Sequence, residues 1–97
     1  MKYGIYVTLF AENLAQKNFA PEIKKAAREA LKEIAKNPYL GKELQEQLTG
    51  FLSYKFMRYR IVYQLDTQTK QIIVWGVGHR STIYEAVTDQ YINATKH

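Results

Sequence analysis

Residues 51–80 read FLSYKFMRYRIVYQLDTQTKQIIVWGVGHR, and this stretch decides the fold. Aromatic and β-branched residues run through it, and Asp66-Thr67-Gln68-Thr69 interrupts them with the residue types that close a tight turn. The pattern predicts strands over 51–57, 58–66 and 70–78, joined by short turns into an antiparallel meander. The bend between the first two falls near Phe56-Met57-Arg58, where no Gly, Asn or Asp stands and a positive φ would be costly. Strict alternation puts Tyr59, Ile61, Tyr63 and Leu65 on one face of the middle strand, with Arg60, Val62, Gln64 and Asp66 on the other. On the last strand it sets Gln71, Ile73, Trp75, Val77 and His79 against Ile72, Val74, Gly76, Gly78 and Arg80. A face that is part apolar and carries Arg is a candidate binding surface.

Upstream, 3–9 has the composition of a first strand, and 11–17 has the helix formers of a short first helix, broken by Asn18 and Ala20-Pro21. Pro21 suits the opening of the next helix, because its missing N–H would have no partner there. Ile23, Ala26, Ala27, Ala30, Leu31 and Ile34 then recur at three- and four-residue spacing until Asn37-Pro38. Segment 41–49 reads as a loop with one turn or as a short helix. Downstream, a helix over 83–93 aligns Ile83, Ala86, Val87, Gln90 and Tyr91, with Ser81 or the Thr82–Glu85 pair as its cap. The expected fold is α+β: one domain over 1–97, with a small antiparallel sheet of about four strands in β-α-α-β-β-β order. The N-terminal helical pair is expected on one face, followed by a short C-terminal helix.

The composition agrees with a single folded unit. Ninety-seven residues bury one core rather than two, and 46% hydrophobic with 24% charged residues is ordinary for a globular chain. Cysteine is absent, which removes disulfide frameworks, thiolate zinc sites and cysteine nucleophiles and points to a reducing, cytoplasmic setting. Neither export nor membrane insertion is expected, since no apolar run approaches about 18 residues. Fourteen Lys and Arg against nine Asp and Glu give +5, a balance that favours anionic partners. The excess is concentrated: over 51–84, Lys55, Arg58, Arg60, Lys70 and Arg80 face a single acid, Asp66.

Acid–base and metal chemistry have little to draw on. After Gly50 the carboxylates are Asp66, Glu85 and Asp89, and no His/Asp/Glu set has ligand spacing, so no metal site is expected. Gly76-Val77-Gly78 lacks the remaining glycines and the βαβ setting of a phosphate loop. What remains is an interleaving of cations and rings: Tyr54-Lys55, Arg58-Tyr59-Arg60, Tyr63, His79-Arg80 and Tyr84. Phosphates take guanidinium or ammonium donors and unpaired bases take flat rings, so RNA contact calls for this pattern. Plainer roles compete for the same residues. Tyr59 and Tyr63 alternate in phase with Ile61 and Leu65, as core residues do; Trp75 suits a sheet anchor, Arg58 and Arg60 a solvated strand edge, and His79 a hydrogen-bonded structural histidine.

Taken in order, Lys36-Asn37-Pro38, Leu48-Thr49-Gly50, Ser53-Tyr54-Lys55, Tyr59-Arg60-Ile61-Val62-Tyr63 and Gly78-His79-Arg80 followed by Tyr84 resemble the RelE/ParE superfamily of toxin–antitoxin toxins. The resemblance extends over 3–87. It implies a RelE-like toxin that enters the ribosomal A site and cuts messenger RNA by attack of a 2′-hydroxyl on the adjacent phosphate, without metal or cofactor. By position, Arg60 and Arg80 hold the scissile phosphate, Lys55 adds charge or helps activate the nucleophile, and Tyr84 stacks on a base or assists proton transfer. Arg58, His79 and Lys70 are the further RNA contacts. The implied partners are a cognate antitoxin, in a hetero-oligomer, together with ribosome and message. The alternatives within the superfamily are a ParE-like poison of DNA gyrase and a degenerate toxin that only binds its antitoxin. The chain departs from related sequences at Lys55, where Arg is frequent, at Met57, where Gly is, and at Ser81, where a second basic residue is. An ammonium holds phosphate geometry less tightly than a guanidinium fork.

Overall fold

The computed structural model describes residues 3–95. The central meander forms as its pattern requires, with β3 (Phe51–Phe56), β4 (Tyr59–Asp66) and β5 (Gln71–His79) antiparallel in sequence. Before it come β1 (Gly4–Val7), α1 (Leu9–Asn18), α2 (Pro21–Lys36) and a two-residue β2 (Lys42–Glu43); α3 (Ile83–Thr95) ends the described chain. The sheet order is β1-β5-β4-β3-β2.

Two expectations about the sheet are corrected. It has five strands, because residues 42–43 of the segment read as loop or helix pair with β3, followed by a 3-10 turn at Glu46–Leu48. It is also mixed, since β1 runs parallel to β5, with Ile5 opposite Ile72 and Val7 opposite Val74. Alternation identifies a strand but not its direction. Only a tight turn enforces antiparallel pairing, and β1 is separated from β5 by most of the chain.

A third correction concerns β5. Tyr63 pairs with Val74 but Val62 pairs with Gly76, so Trp75 is an extra residue at a bulge and the alternation resets there. Ile72, Val74 and Val77 therefore join Ile61, Tyr63 and Leu52 beneath α2, whose Ala27, Ala30 and Ile34 are buried against them. On the opposite face α3 lays Ile83 and Val87 over Phe51 and Val62, with Trp75 and Tyr91 beside them. The face left open in the sequence reading is thus largely covered by α3. Gly76 permits the approach, since a Cβ there would come within 2.4 Å of Val87 and 2.9 Å of Ile83. Trp75 is the sheet anchor its type suggested: its Nε1 donates to Gln64 Oε1 at 2.8 Å, and its ring meets Phe51 and Tyr91 edge-on.

α1 begins two residues before the expected segment, because the Thr8 hydroxyl caps it by accepting from the Ala11 N–H at 3.2 Å. The strand stops earlier for the same reason. α1 then packs along the part of β5 that β1 leaves unpaired. The expected side-chain cap on α3 is not formed by Ser81, whose hydroxyl lies 2.8 Å from His79 Nδ1 instead.

Two local features hold the meander. Asp66 Oδ1 accepts from the Gln68 and Thr69 N–H groups at 3.0 and 3.1 Å, and the Thr69 bonds hold its carboxyl below the usual range. Tyr63, fully buried, donates to the Pro38 carbonyl at 2.8 Å and accepts from the Gly41 N–H at 3.0 Å, tying β4 to the link that leaves α2. Gly41 must be glycine here, as a Cβ would fall 2.6 Å from the phenolic oxygen.

The tight bend between β3 and β4 carries the expected cost. Phe56 pairs with Tyr59, leaving Met57 and Arg58 as the turn, with Met57 at φ 55°. Met57→Gly relieves a strain of about 1–2 kcal/mol, less the chain entropy of glycine, about 0.5–1 kcal/mol. A net gain near 1 kcal/mol raises Tm by roughly 4–8 °C in a domain of this size, measurable by calorimetry. Tyr63→Phe leaves the Pro38 and Gly41 groups without their partner and lowers stability by about 1–3 kcal/mol in denaturant titrations. Burial raises the Tyr63 pKa above its ordinary 10.0, so the unfolded chain ionises first. The stability from this group is therefore complete below pH 10 and falls as pH rises beyond it, a component that Tyr63→Phe removes.

Candidate functional site

The basic residues gather where the β3–β4 turn meets the end of β5. Register does most of the placing: Lys55 stands opposite Arg60, and Arg60 opposite Gly78, in one row across three strands on the α3 side. Gly78 contributes no side chain to that row, and α3 closes over it there, since a Cβ would come within 3.2 Å of Ile83. Arg60 Nη1 donates to the Tyr59 carbonyl at 3.0 Å. The two-residue turn brings Arg58 to the tip, and the Arg80 N–H donates to the Arg58 carbonyl at 3.4 Å, so the chain leaving β5 continues beside the turn.

The result is a cleft of about 400 Å³ lined by Lys55, Met57, Arg58, Arg60, His79 and Arg80. No carboxylate lines it. Among the described residues the ion pairs are Lys32–Glu29 and Lys36–Glu33, both on the outer face of α2, so no acid neutralises the cluster. Uncompensated cations around a concave surface make a field that attracts anions, and guanidinium groups match the oxygens of a phosphate. Among the described residues there is no group of three or more His, Asp or Glu side chains suited to a metal ion.

The other expected residues fall elsewhere. Tyr84, one residue into α3, does not line the cleft; its hydroxyl lies 2.8 Å from Ser53 Oγ, and Ser53 is the buried polar residue of the core. Ser53 precedes Lys55 by one strand repeat on the same face, which puts the Tyr84 hydroxyl contact about 7 Å along β3 from the Lys55–Arg60 row. Lys70 lies at the far end of β5, roughly 30 Å of strand from His79, where its Nζ stands 5.7 Å from the Tyr3 ring centroid and its carbonyl accepts from the Gly4 N–H. The structure thus gathers Lys55, Arg58, Arg60, His79 and Arg80, sets Tyr84 at one side, and leaves Lys70 out. Met57 joins the cleft lining and Ser53 meets Tyr84 beside it, neither being among the expected site residues. Ser53 had a signal in the Ser53-Tyr54-Lys55 motif, and Met57 in its place at the expected bend beside Arg58.

His79 has a defined setting. Its ring meets Tyr59 edge-on at 6.1 Å, and its Nδ1 accepts from the Ser81 N–H at 3.2 Å. A backbone N–H can only donate, so the neutral ring carries its hydrogen on Nε2.

A family model described as ParE toxin of type II toxin-antitoxin system, parDE, matches residues 6–84. Toxin RelG of Mycobacterium tuberculosis is 30% identical over 86 residues, which span 87% of this chain and 98% of that protein. Among solved structures, the toxin–antitoxin complex RelBE2 from Mycobacterium tuberculosis contains a chain similar at TM-score 0.76 and 28% identity, over 82% of this chain and 100% of that one. A mutant of the E. coli toxin RelE in the free state is similar in fold at TM-score 0.77 and 18% identity, over 98% and 99% of the two chains.

The unneutralised row has a measurable cost. Like charges directly opposite on paired strands destabilise by about 0.2–1 kcal/mol. Arg60→Gln therefore raises the thermal midpoint by a few degrees in low salt, and the difference disappears near 1 M salt, where the screening length is about 3 Å.

Proposed function

Because the chain belongs to the RelE/ParE superfamily of type II toxin–antitoxin toxins, we propose that it is a ribosome-dependent endoribonuclease that cuts messenger RNA in the A site. The observation that carries the reading is the convergence of Arg60, Arg80 and Lys55, with Arg58 and His79, on one cleft free of carboxylates. In the proposed reaction the 2′-oxygen attacks the adjacent phosphorus and the bond to the 5′-oxygen breaks. A 2′,3′-cyclic phosphate and a 5′-hydroxyl result. One proton leaves the 2′-hydroxyl and one reaches the departing oxygen.

Arg60 and Arg80 hold the phosphate and stabilise the charge that grows on its oxygens, which preorganised cations do without reorganising solvent. Lys55 adds charge beside Arg60 or helps activate the 2′-hydroxyl. Tyr84 stacks on a base or assists proton transfer from beside the row, and Arg58 and His79 extend the cation surface along the RNA. The ribosome aligns the message, supplying orientation that a shallow cleft alone provides poorly. A cognate antitoxin with an acidic, partly apolar segment covers the basic face in a cytoplasmic hetero-oligomer, as surface charge complementarity favours. The matching of a ParE family model favours a second reading, in which the protein poisons DNA gyrase by binding it.

Primer extension on a defined message in a purified translation system separates these. Cleavage at codons is expected only with wild-type protein and ribosomes together, and Arg60→Ala/Arg80→Ala is expected to slow it at least about 100-fold. The variant should remain folded, with a thermal midpoint no lower than that of wild type. Intact message with folded protein, together with DNA breaks in cells, would assign the gyrase reading instead; cleavage without ribosomes would mean a free ribonuclease.

A further inference from the structure

A second cavity adjoins the cationic cleft. It has a volume of about 330 Å³ and lies between the end of α1, the start of α3 and the tip of β5. Phe19, Tyr59, Val77 and Ile83 supply its apolar and aromatic walls, and Asn18 and His79 supply polar groups. His79 also lines the cationic cleft, so the two spaces meet at that residue.

We infer that this cavity is a nucleobase subsite that takes a purine, adenine first, attached to the phosphate held in the cationic cleft. The inference rests on the proposed phosphate-binding role of that cleft and extends it. The argument is chemical complementarity across a shared boundary. A phosphate group needs cations and no apolar wall, whereas a base needs flat and apolar faces with a few hydrogen-bonding groups at its edge. The two cavities offer these separately and side by side. His79 stands at the junction with Nδ1 occupied by the Ser81 N–H, leaving Nε2–H as the donor of the neutral ring. Asn18, the last residue of α1, carries a paired donor and acceptor, the complement of the adenine N6 and N7 edge.

The test is titration of the ¹⁵N-labelled full chain, followed by NMR, with inorganic phosphate, 3′-AMP and 3′-UMP. Phosphate should shift amides at 58–60 and 78–80 alone. 3′-AMP should bind at least tenfold more tightly than phosphate and also shift Asn18, Phe19, Ile83 and Ala86, with 3′-UMP less than threefold tighter than phosphate. Ala86→Leu, which fills the cavity from its α3 wall, should reduce 3′-AMP to the affinity of phosphate while phosphate binding is kept. Asn18→Ala, at an exposed position, should remove the preference for 3′-AMP over 3′-UMP even if the filled variant is poorly folded. Equal affinity for phosphate and 3′-AMP, with shifts confined to the cleft, would overturn the subsite and leave the phosphate cleft standing. Equal affinities in which Ala86→Leu instead weakens the antitoxin complex would assign the cavity to a protein side chain and overturn it too. Failure of phosphate to bind at all would count against the nuclease reading on which the inference rests.

Discussion

Holding Lys55, Arg58, Arg60 and Arg80 around one small cleft sets positive charge against positive charge, and the rest of the fold must outweigh that repulsion. β4 is the means. Its Ile61, Val62 and Tyr63 are all without solvent exposure, the first and third beneath α2 and the second beneath α3. Each fully buried side chain of this size contributes about 1.5–3 kcal/mol, against a fraction of that for each exposed like-charge contact. The cationic end of β4 can therefore stay unneutralised, because the middle of the same strand is fixed from both sides.

The architecture separates anchoring from binding along the strand direction. Tyr63 and its bonds to Pro38 and Gly41 fasten the centre of the sheet to the exit from α2. The bulge at Trp75 lets one strand serve two cores, turning Val77 toward the helical pair and leaving Gly76 and Gly78 flat enough for α3 to approach. Beyond those positions the strands carry little core, and their ends present cations to solvent. Ser81 belongs to this division, since its N–H and hydroxyl meet His79 and fix its tautomer where a helix cap was expected.

Much of this was legible in the sequence. The apolar spacing from Ile23 to Ile34 marks α2, and Asp66 marks the turn that joins β4 to β5, because each signal is local and each residue acts on its own neighbours. The gathering of Lys55, Arg58, Arg60, His79 and Arg80 was legible for a related reason: a tight hairpin with two-residue alternation puts 55 against 60 whatever surrounds it. What the sequence did not show is what only tertiary context sets. Nothing local says that β1 joins β5 in parallel or that Lys42 and Glu43 pair with β3. The extra residue at Trp75 is decided by how two faces pack, and the Ser53–Tyr84 contact depends on where α3 docks. Lys70 counts toward the basic excess as fully as Arg80 does, but composition does not record which end of a strand a residue occupies.

β1 ends the sheet on the side away from β5, and around that edge Ile5, Tyr6 and Leu9 stand largely exposed. Unpaired backbone groups beside apolar side chains form a template on which another chain can add a strand. Here the template is four residues long, cut short where Thr8 turns the chain into α1. The helix cap therefore also sets the length of unpaired ribbon at this edge, and with it how much backbone another chain could pair with.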